Sequence, residues 1–315
     1  MIAAAPAVAT AYRGRFAPSP TGPLHFGSLI AALASYCDAR ANAGSWLVRI
    51  EDVDEPRSRA GAYEGILRTL ERFGFEWDGP VLRQSARTSL YQSALTRLIA
   101  DHQAYACACT RRELESARMN AAGERIYPGT CREGVPLEYA ARRQRAWRVR
   151  TADAGIAFVD RVQRAQQQDV ARDVGDFVVQ RADGLFAYQL AVVVDDADQG
   201  VTAVVRGADL LSSTARQIML QHRLDLSTPS YLHVPVAVNP AGEKLSKQTR
   251  ARPLPDEPLP TLLAAWRFLE QLPPDVPLAN PREFWSWATS AWRVARVPPV
   301  LMLPAPSDCA TGAAR

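Results

Sequence analysis

The chain has 315 residues, 47% hydrophobic and 22% charged, the composition of an ordinary globular protein of about two domains. No uninterrupted apolar run approaches the roughly 18 residues of a membrane helix, so the sequence does not read as bilayer-spanning. The net charge of +4 is too mild to announce nucleic-acid binding, and five cysteines, an odd number in a chain this long, argue for a reducing, cytoplasmic setting rather than a disulfide framework.

The opening MIAAAPAVATAY has no basic residue ahead of it and reads as a loose tail, not a signal peptide. Residues 12–17 (YRGRFA) predict a strand that ends at the turn-rich PSPTGP. Leu24, Leu29, Leu33, Tyr36 and Cys37 recur at helical spacing, predicting a helix to about residue 40. WLVRIE (46–51) predicts a second strand, and helical patterns follow at about 60–74 and 86–103. Strand, helix, strand, helix is the βαβ signature, so the expected fold class is α/β with a doubly wound parallel sheet.

Residues 104–172 break this rhythm and are expected to form an insertion between two halves of one sheet domain, with short strands at 147–151 and 156–160. The α/β pattern resumes with FVVQR (177–181), the apolar stretch AYQLAVVVDDADQ (187–199) and VTAVVRG (201–207). A helix over about 212–224 and the strand YLHVPVAV (231–238) follow. Beyond KLSKQ the chain is Pro-rich, with two helical patterns (259–272 and 281–294) and a polar tail. The expected division is 1–103 and 173–255 for the two halves of the catalytic domain, 104–172 for the insertion, and 256–315 for a short helical C-terminal region.

Four constellations carry chemistry. APSPTGPLHFGS (17–28) lies where a strand hands over to a helix, and the helix start offers N–H groups to an anion, with His25 and Ser28 as further donors. A plain βα loop with an incidental histidine competes, but a Gly-flanked position at a strand end, where α/β sheets bind ligands, favours the site. RIEDVDEPR (49–57) crowds Arg49, Glu51, Asp52, Asp54, Glu55 and Arg57 at the end of the second strand. Glu51 could hold an ammonium group, some of these carboxylates could hold magnesium, or the whole set could be an Arg–carboxylate network capping the sheet. Cys107 and Cys109, with Cys131 within 25 residues, have the composition of a structural zinc site. Tyr127 and His102 are both candidates for its fourth ligand, while Cys37 reads as core and Cys309 as incidental. Last, 35 of the 37 basic residues are Arg, and both lysines, Lys244 and Lys247, fall in KLSKQ. A Gly-led loop with two mobile ammonium groups suits a triphosphate.

Taken together, these segments resemble the class I aminoacyl-tRNA synthetases, specifically their glutamyl branch. RFAPSPTGPLHFG resembles the first signature, with His25-Phe26-Gly27-Ser28 where the family has His-Ile-Gly-His, and KLSKQ resembles the second, Lys-Met-Ser-Lys-Ser. RIEDVDEPR resembles the glutamyl-specific strand, and FAYQLAVVVDD with VVRGADLL the amino-acid pocket. The likeness spans roughly residues 12–250 and implies a Rossmann-like catalytic fold. It implies that Arg15 and Arg206 hold the glutamate side-chain carboxylate, Ser19 the α-carboxylate, and Glu51 with Tyr188 the α-amino group, with Phe16, Ala17 and Pro18 lining the same pocket. It places His25, Gly27, Ser28, Lys244, Ser246 and Lys247 on ATP and its Mg2+, with His25 and Lys247 catalytic. Ser28 replaces the second histidine and Gln248 the final serine.

Only 68 residues follow Lys247, too few for the anticodon-reading helical domains of a full glutamyl enzyme. The layout resembles the branch's short paralogues, which activate glutamate without tRNA and esterify it onto the queuosine base of tRNA(Asp). That likeness further implies one zinc held by Cys107, Cys109, Tyr127 and Cys131, and a monomer. The rival readings are a truncated enzyme charging a tRNA 3′ end, a catalytically silent tRNA-binding paralogue, and a nucleotidyltransferase. Trp266, Trp285, Trp287 and Trp292 are candidates for stacking on anticodon-loop bases, although tryptophans at helical spacing belong more often to a core.

Overall fold

The structure is a computed structural model that describes residues 11–54, 58–120, 123–151, 155–245 and 252–307. Strand β1 (Arg13–Phe16) enters the Pro/Gly turn, and helix α1 (Phe26–Ala41) leaves it. Strand β2 (Ser45–Ile50) returns parallel to β1, with Arg15 opposite Leu47, and α2 (Ala62–Arg72) leads to β3 (Leu82–Arg83), parallel to β2. Helix α3 (Thr88–Ala100) closes this half. Apart from β3, these are the elements that period and turn chemistry predict, because each apolar face has an adjacent layer to cover it; the two residues of β3 are too few to show a period, and pairing with β2 makes them a strand.

The middle segment supplies β4 (Ala104–Cys107), β5 (Ala146–Val149), the hairpin β6 (Gly155–Asp160) and β7 (Arg164–Asp169), and the one-turn helix α4 (Val170–Asp173). Strand β8 (Phe177–Gln180) pairs with β5 in the antiparallel sheet β4-β5-β8. The chain continues through α5 (Tyr188–Asp198), β9 (Ala203–Gly207), α6 (Leu211–Arg223), β10 (Ser230–Val234) and β11 (Val236–Val238). β10 is parallel to β9 and to β6, giving the order β7-β6-β10-β9, and the Thr202 N–H donates to the Arg13 carbonyl (2.9 Å) where β9 abuts β1. The stretch 231–238 is two strands rather than one. Pro235 has no N–H to continue the ladder, so the chain changes partner there.

Helices α7 (Pro258–Phe268) and α8 (Pro281–Ala291) begin with proline in the first turn, where its missing N–H costs nothing. The segment read as a polar tail forms β12 (Met302–Pro304), parallel to β11. Trp266, Trp285 and Trp292 are buried in the main core and Trp287 packs against it, so the favoured reading as core residues holds and they offer no base-stacking surface. Their indole N–H groups confirm core roles: Trp285 donates to the Phe73 carbonyl (2.8 Å) and Trp266 to the Leu272 carbonyl (2.6 Å). Among the described residues no helix is long and apolar enough to cross a membrane.

Candidate active site

Arg15 on β1, Arg49 and Glu51 at the end of β2, and Asp195 and Asp196 on α5 form one buried charge network. Asp196 accepts from Arg15 Nε (3.1 Å) and from Arg49 (2.7 Å), and Arg49 also donates to Glu51 (3.2 Å) and to Gln199 Oε1 (2.7 Å). Burial alone would raise the Asp196 carboxyl, but Arg15 and Arg49 outweigh it and hold the group below its ordinary range. Glu51 goes the other way: burial raises it, and Arg49 and Arg15 offset this only in part. The expected Arg–carboxylate network therefore exists, and Arg49 is its centre. Asp52 is structural, accepting from the Ser85 N–H and hydroxyl (both 2.8 Å), and Asp54 pairs with Arg181 (3.3 Å).

Arg206 differs from these arginines. It is only 5% exposed, yet among the described residues it has no carboxylate partner. Its Nε donates to His233 Nε2 (2.9 Å), one terminal nitrogen to Thr214 Oγ1 (2.9 Å), and the other lies 3.5 Å from the Tyr188 hydroxyl. The charges of Arg206, Glu51, Arg15 and Asp196 all act on the Tyr188 phenol, so residues from β1, β2, α5 and β9 converge there. A buried guanidinium with neutral partners is costly unless an anion joins it, so the position suits a carboxylate.

His233 and Asp160 were not singled out from the sequence. Nothing in YLHVPVAV or IAFVD marks them apart from being polar residues within apolar strands. His233 Nδ1 lies 2.7 Å from Asp160 Oδ2, and Asp160 Oδ1 accepts from the Val162 and Gln163 N–H groups (2.9 and 2.7 Å). Burial pushes the His233 imidazole from its ordinary 6.5 down to about 4, against the pull of Asp160 and with that of Arg206. The unfolded chain therefore binds a proton on this ring at higher pH than the folded one. Stability falls as pH drops through the window from 6.5 to about 4. The wild-type unfolding free energy should lose up to about 3 kcal/mol more across that window than that of His233→Gln, measured by urea titration.

On the nucleotide side, His25 is the N-cap of α1, and its Nδ1 accepts from the Ser28 N–H (3.3 Å). Space is tight at Gly27: a Cβ would stand 3.3 Å from the Leu245 carbonyl and 3.2 Å from the His25 ring. The start of α1 thus touches the segment leading into the lysine loop, and the Leu254 N–H beyond the loop donates to the Leu24 carbonyl (3.0 Å). Lys244 pairs with Asp209 (2.6 Å), just past β9. Ser19 is exposed in the turn after β1, and Phe16 and Pro18 are buried beside it with Ala17 between them. Ser246, Lys247 and Gln248 lie outside the described residues.

The cysteines meet at the tip of β4. The sulfurs of Cys107, Cys109 and Cys131 lie within 4.8 Å of one another, with Cys109 and Cys131 at 3.7 Å. A tetrahedral ion with bonds of about 2.3 Å sets its sulfurs ~3.8 Å apart, so this set can hold a metal. The Tyr127 oxygen stands 3.3 Å from Cys107 Sγ and 3.5 Å from Cys109 Sγ, and the Cys131 N–H donates to it (2.8 Å). Burial opposes ionisation of Cys107, but hydrogen bonds from Tyr127 and Arg148 outweigh it and hold this thiol below its ordinary value. His102 is exposed at the end of α3 and is not in the cluster, so tertiary structure separates two candidates that spacing left equal.

Residues 11–254 match the family described as tRNA synthetases class I (E and Q), catalytic domain. The glutamyl-Q tRNA(Asp) synthetase of Aromatoleum aromaticum is 57% identical over 94% of this chain and 93% of its own. That of Dechloromonas aromatica is 56% identical over 93% of this chain and 99% of its own. Among solved structures, the glutamate–tRNA synthetase of Elizabethkingia anophelis shares the fold, with a TM-score of 0.78 at 24% identity over 95% of this chain and 69% of that one. On the signatures, the architecture and these relatives, the chain belongs to the class I tRNA synthetases of the glutamyl and glutaminyl type, in the family of the glutamyl-Q tRNA(Asp) synthetases.

Proposed function

We propose that this chain activates L-glutamate with ATP in the absence of tRNA and esterifies it onto the queuosine base in the anticodon of tRNA(Asp). The observation that carries this reading is Arg206, a buried guanidinium with neutral partners that lies beside Tyr188, with Glu51 close to the same phenol. The relatives named above support the acceptor.

In this reading Arg206 and Arg15 bind the side-chain carboxylate, Glu51 and Tyr188 the α-ammonium, and Ser19 the α-carboxylate, with Phe16, Ala17 and Pro18 forming the pocket wall. Because His25 Nδ1 accepts from the Ser28 N–H, the ring proton sits on Nε2, where it donates to a phosphate oxygen. Gly27, Ser28, Lys244, Ser246 and Lys247 complete the phosphate site, and Mg2+ accompanies ATP. An α-carboxylate oxygen attacks the α-phosphorus, the bond to the bridging oxygen breaks, and pyrophosphate leaves. A hydroxyl of the queuosine cyclopentenediol then attacks the acyl carbon, loses its proton, and AMP leaves. No side chain acts as nucleophile, so the protein contributes alignment and charge stabilisation.

Cys107, Cys109, Cys131 and Tyr127 would hold one zinc, which ties together a segment with little core of its own. We propose the same four-part division of the chain as above, and a cytoplasmic monomer.

The test uses radiolabelled glutamate, ATP and tRNA(Asp) in three forms: intact with queuosine, with queuosine but lacking the terminal adenosine, and intact without queuosine. Label on both queuosine forms and not on the third is expected. Label that requires the terminal adenosine and ignores queuosine would make this a short enzyme charging the 3′ end.

A further inference from the structure

Three adjacent strands place one polar residue each in a row that ends beside Tyr188. Asp160 ends β6, His233 lies on β10, and Arg206 on β9 stands opposite His233 in the parallel register. All three are buried, and no other described carboxylate is hydrogen-bonded or ion-paired to the row, although Asp209 acts on His233 through its charge.

The hydrogen bonds run in one direction. Asp160 is fixed by the Val162 and Gln163 N–H groups, which occupy Oδ1 and leave Oδ2 for the imidazole. A carboxylate can only accept, so His233 carries its proton on Nδ1. That leaves a lone pair on Nε2, the atom that receives Arg206 Nε–H at 2.9 Å. Thr214 Oγ1 and, more distantly, the Leu210 carbonyl (3.4 Å) take the NH2 edge. With two edges pinned, the guanidinium cannot rotate about its stem, and its remaining nitrogen stays beside Tyr188.

We infer that Asp160 and His233 are positioning residues for Arg206: the carboxylate sets the imidazole tautomer, the tautomer sets the guanidinium plane, and that plane selects a carboxylate-bearing amino acid. This rests on the proposed glutamate pocket. It extends that reading to residues that never reach the substrate, and it assigns specificity to a buried relay. A device of this kind is needed because no described carboxylate aims Arg206, and an unaimed guanidinium loses most of the advantage of bidentate recognition.

The test is Asp160→Asn, which keeps the shape. With its oxygen retained toward the two backbone N–H groups, the new amide donates to His233 Nδ1. The ring proton then moves to Nε2, where it opposes the Arg206 N–H. In glutamate-dependent ATP–pyrophosphate exchange, KM for glutamate should rise roughly 10- to 100-fold, while KM for ATP and kcat stay within about twofold. His233→Gln, which offers a carbonyl oxygen toward Arg206, should restore most of the affinity. Thr214→Val removes the other anchor and should raise KM for glutamate by roughly threefold or more, so the question is decided even if Asp160→Asn does not fold. A merely structural role would lower thermal stability without separating the two KM values. Unchanged KM for glutamate in a folded variant, or equal rises for glutamate and ATP, would overturn the relay. If the wild-type protein shows no glutamate-dependent exchange at all, it is the pocket reading that falls.

Discussion

Arg206→Ala is expected to lower kcat/KM for glutamate in pyrophosphate exchange roughly 1000-fold while leaving the melting temperature within a few degrees of wild type. Both halves follow from the partners of this side chain. A charge-assisted pair with a substrate carboxylate forms away from water, where losing one member costs most. Within the protein, however, Arg206 meets His233, Thr214 and Tyr188, all neutral, so its removal strands no buried countercharge. Arg49 provides the contrast. It is fully buried among Asp195, Asp196 and Glu51, and although Arg87 and Arg15 would remain on the two aspartates, alanine there would leave Glu51 without its guanidinium and should lower the melting temperature well below that of Arg206→Ala. Steady-state exchange kinetics and a thermal melt on the same preparation check both outcomes. Normal glutamate activation in Arg206→Ala would show that the carboxylate binds elsewhere.

The second large effect concerns the cysteines. If the proposed zinc site holds, elemental analysis should find about one equivalent in the wild type and near zero in Cys131→Ala, and the substitution should open the segment between β4 and β5 to protease. The reason is how little else holds that segment. Its local core is Tyr105, Cys107, Tyr127 and Cys131, with Cys109, Leu114 and Tyr139 at the margin. An apolar cluster of that size contributes a few kcal/mol at most, whereas a structural zinc contributes on the order of 10 kcal/mol. The parallel sheets carrying Arg15, Glu51 and Arg206 have their own cores, so glutamate activation should survive better than transfer to tRNA. A variant with full metal content and an unchanged cleavage pattern would remove the ion from these ligands.

Much of this architecture is written locally. The alternation of strand and helix from Arg13 to Ala100 follows from apolar period and from turn residues, and each of those elements is observed. The signatures are equally local, since a Pro/Gly turn before a helix start and two lysines in an Arg-rich chain can be seen without any fold. Strand β7 is the opposite case. RAQQQD has almost no apolar content, and it is a strand because β6 offers an edge for it to pair with. Likewise β12 becomes a strand because β11 has lost its former ladder at Pro235.

The same distinction runs through the site. Residue identities and spacing are enough to nominate Glu51 and the three cysteines, whereas Arg15, Tyr188 and Arg206 are nominated by the resemblance of their segments to the glutamyl branch. Spacing could not choose Tyr127 over His102. That choice depends on the turn that places the Tyr127 oxygen among the sulfurs and leaves His102 exposed at a helix end. Nor could it show that Arg15 and Arg49 are neutralised by Asp196 while Arg206 is not, or that Asp160 and His233 stand behind Arg206. Those facts depend on the strand order β6-β10-β9, which joins residues 27 and 73 positions apart by hydrogen bonds. Local chemistry nominates the groups that meet a substrate; partner and orientation are pairwise properties, and they exist only once distant strands lie side by side.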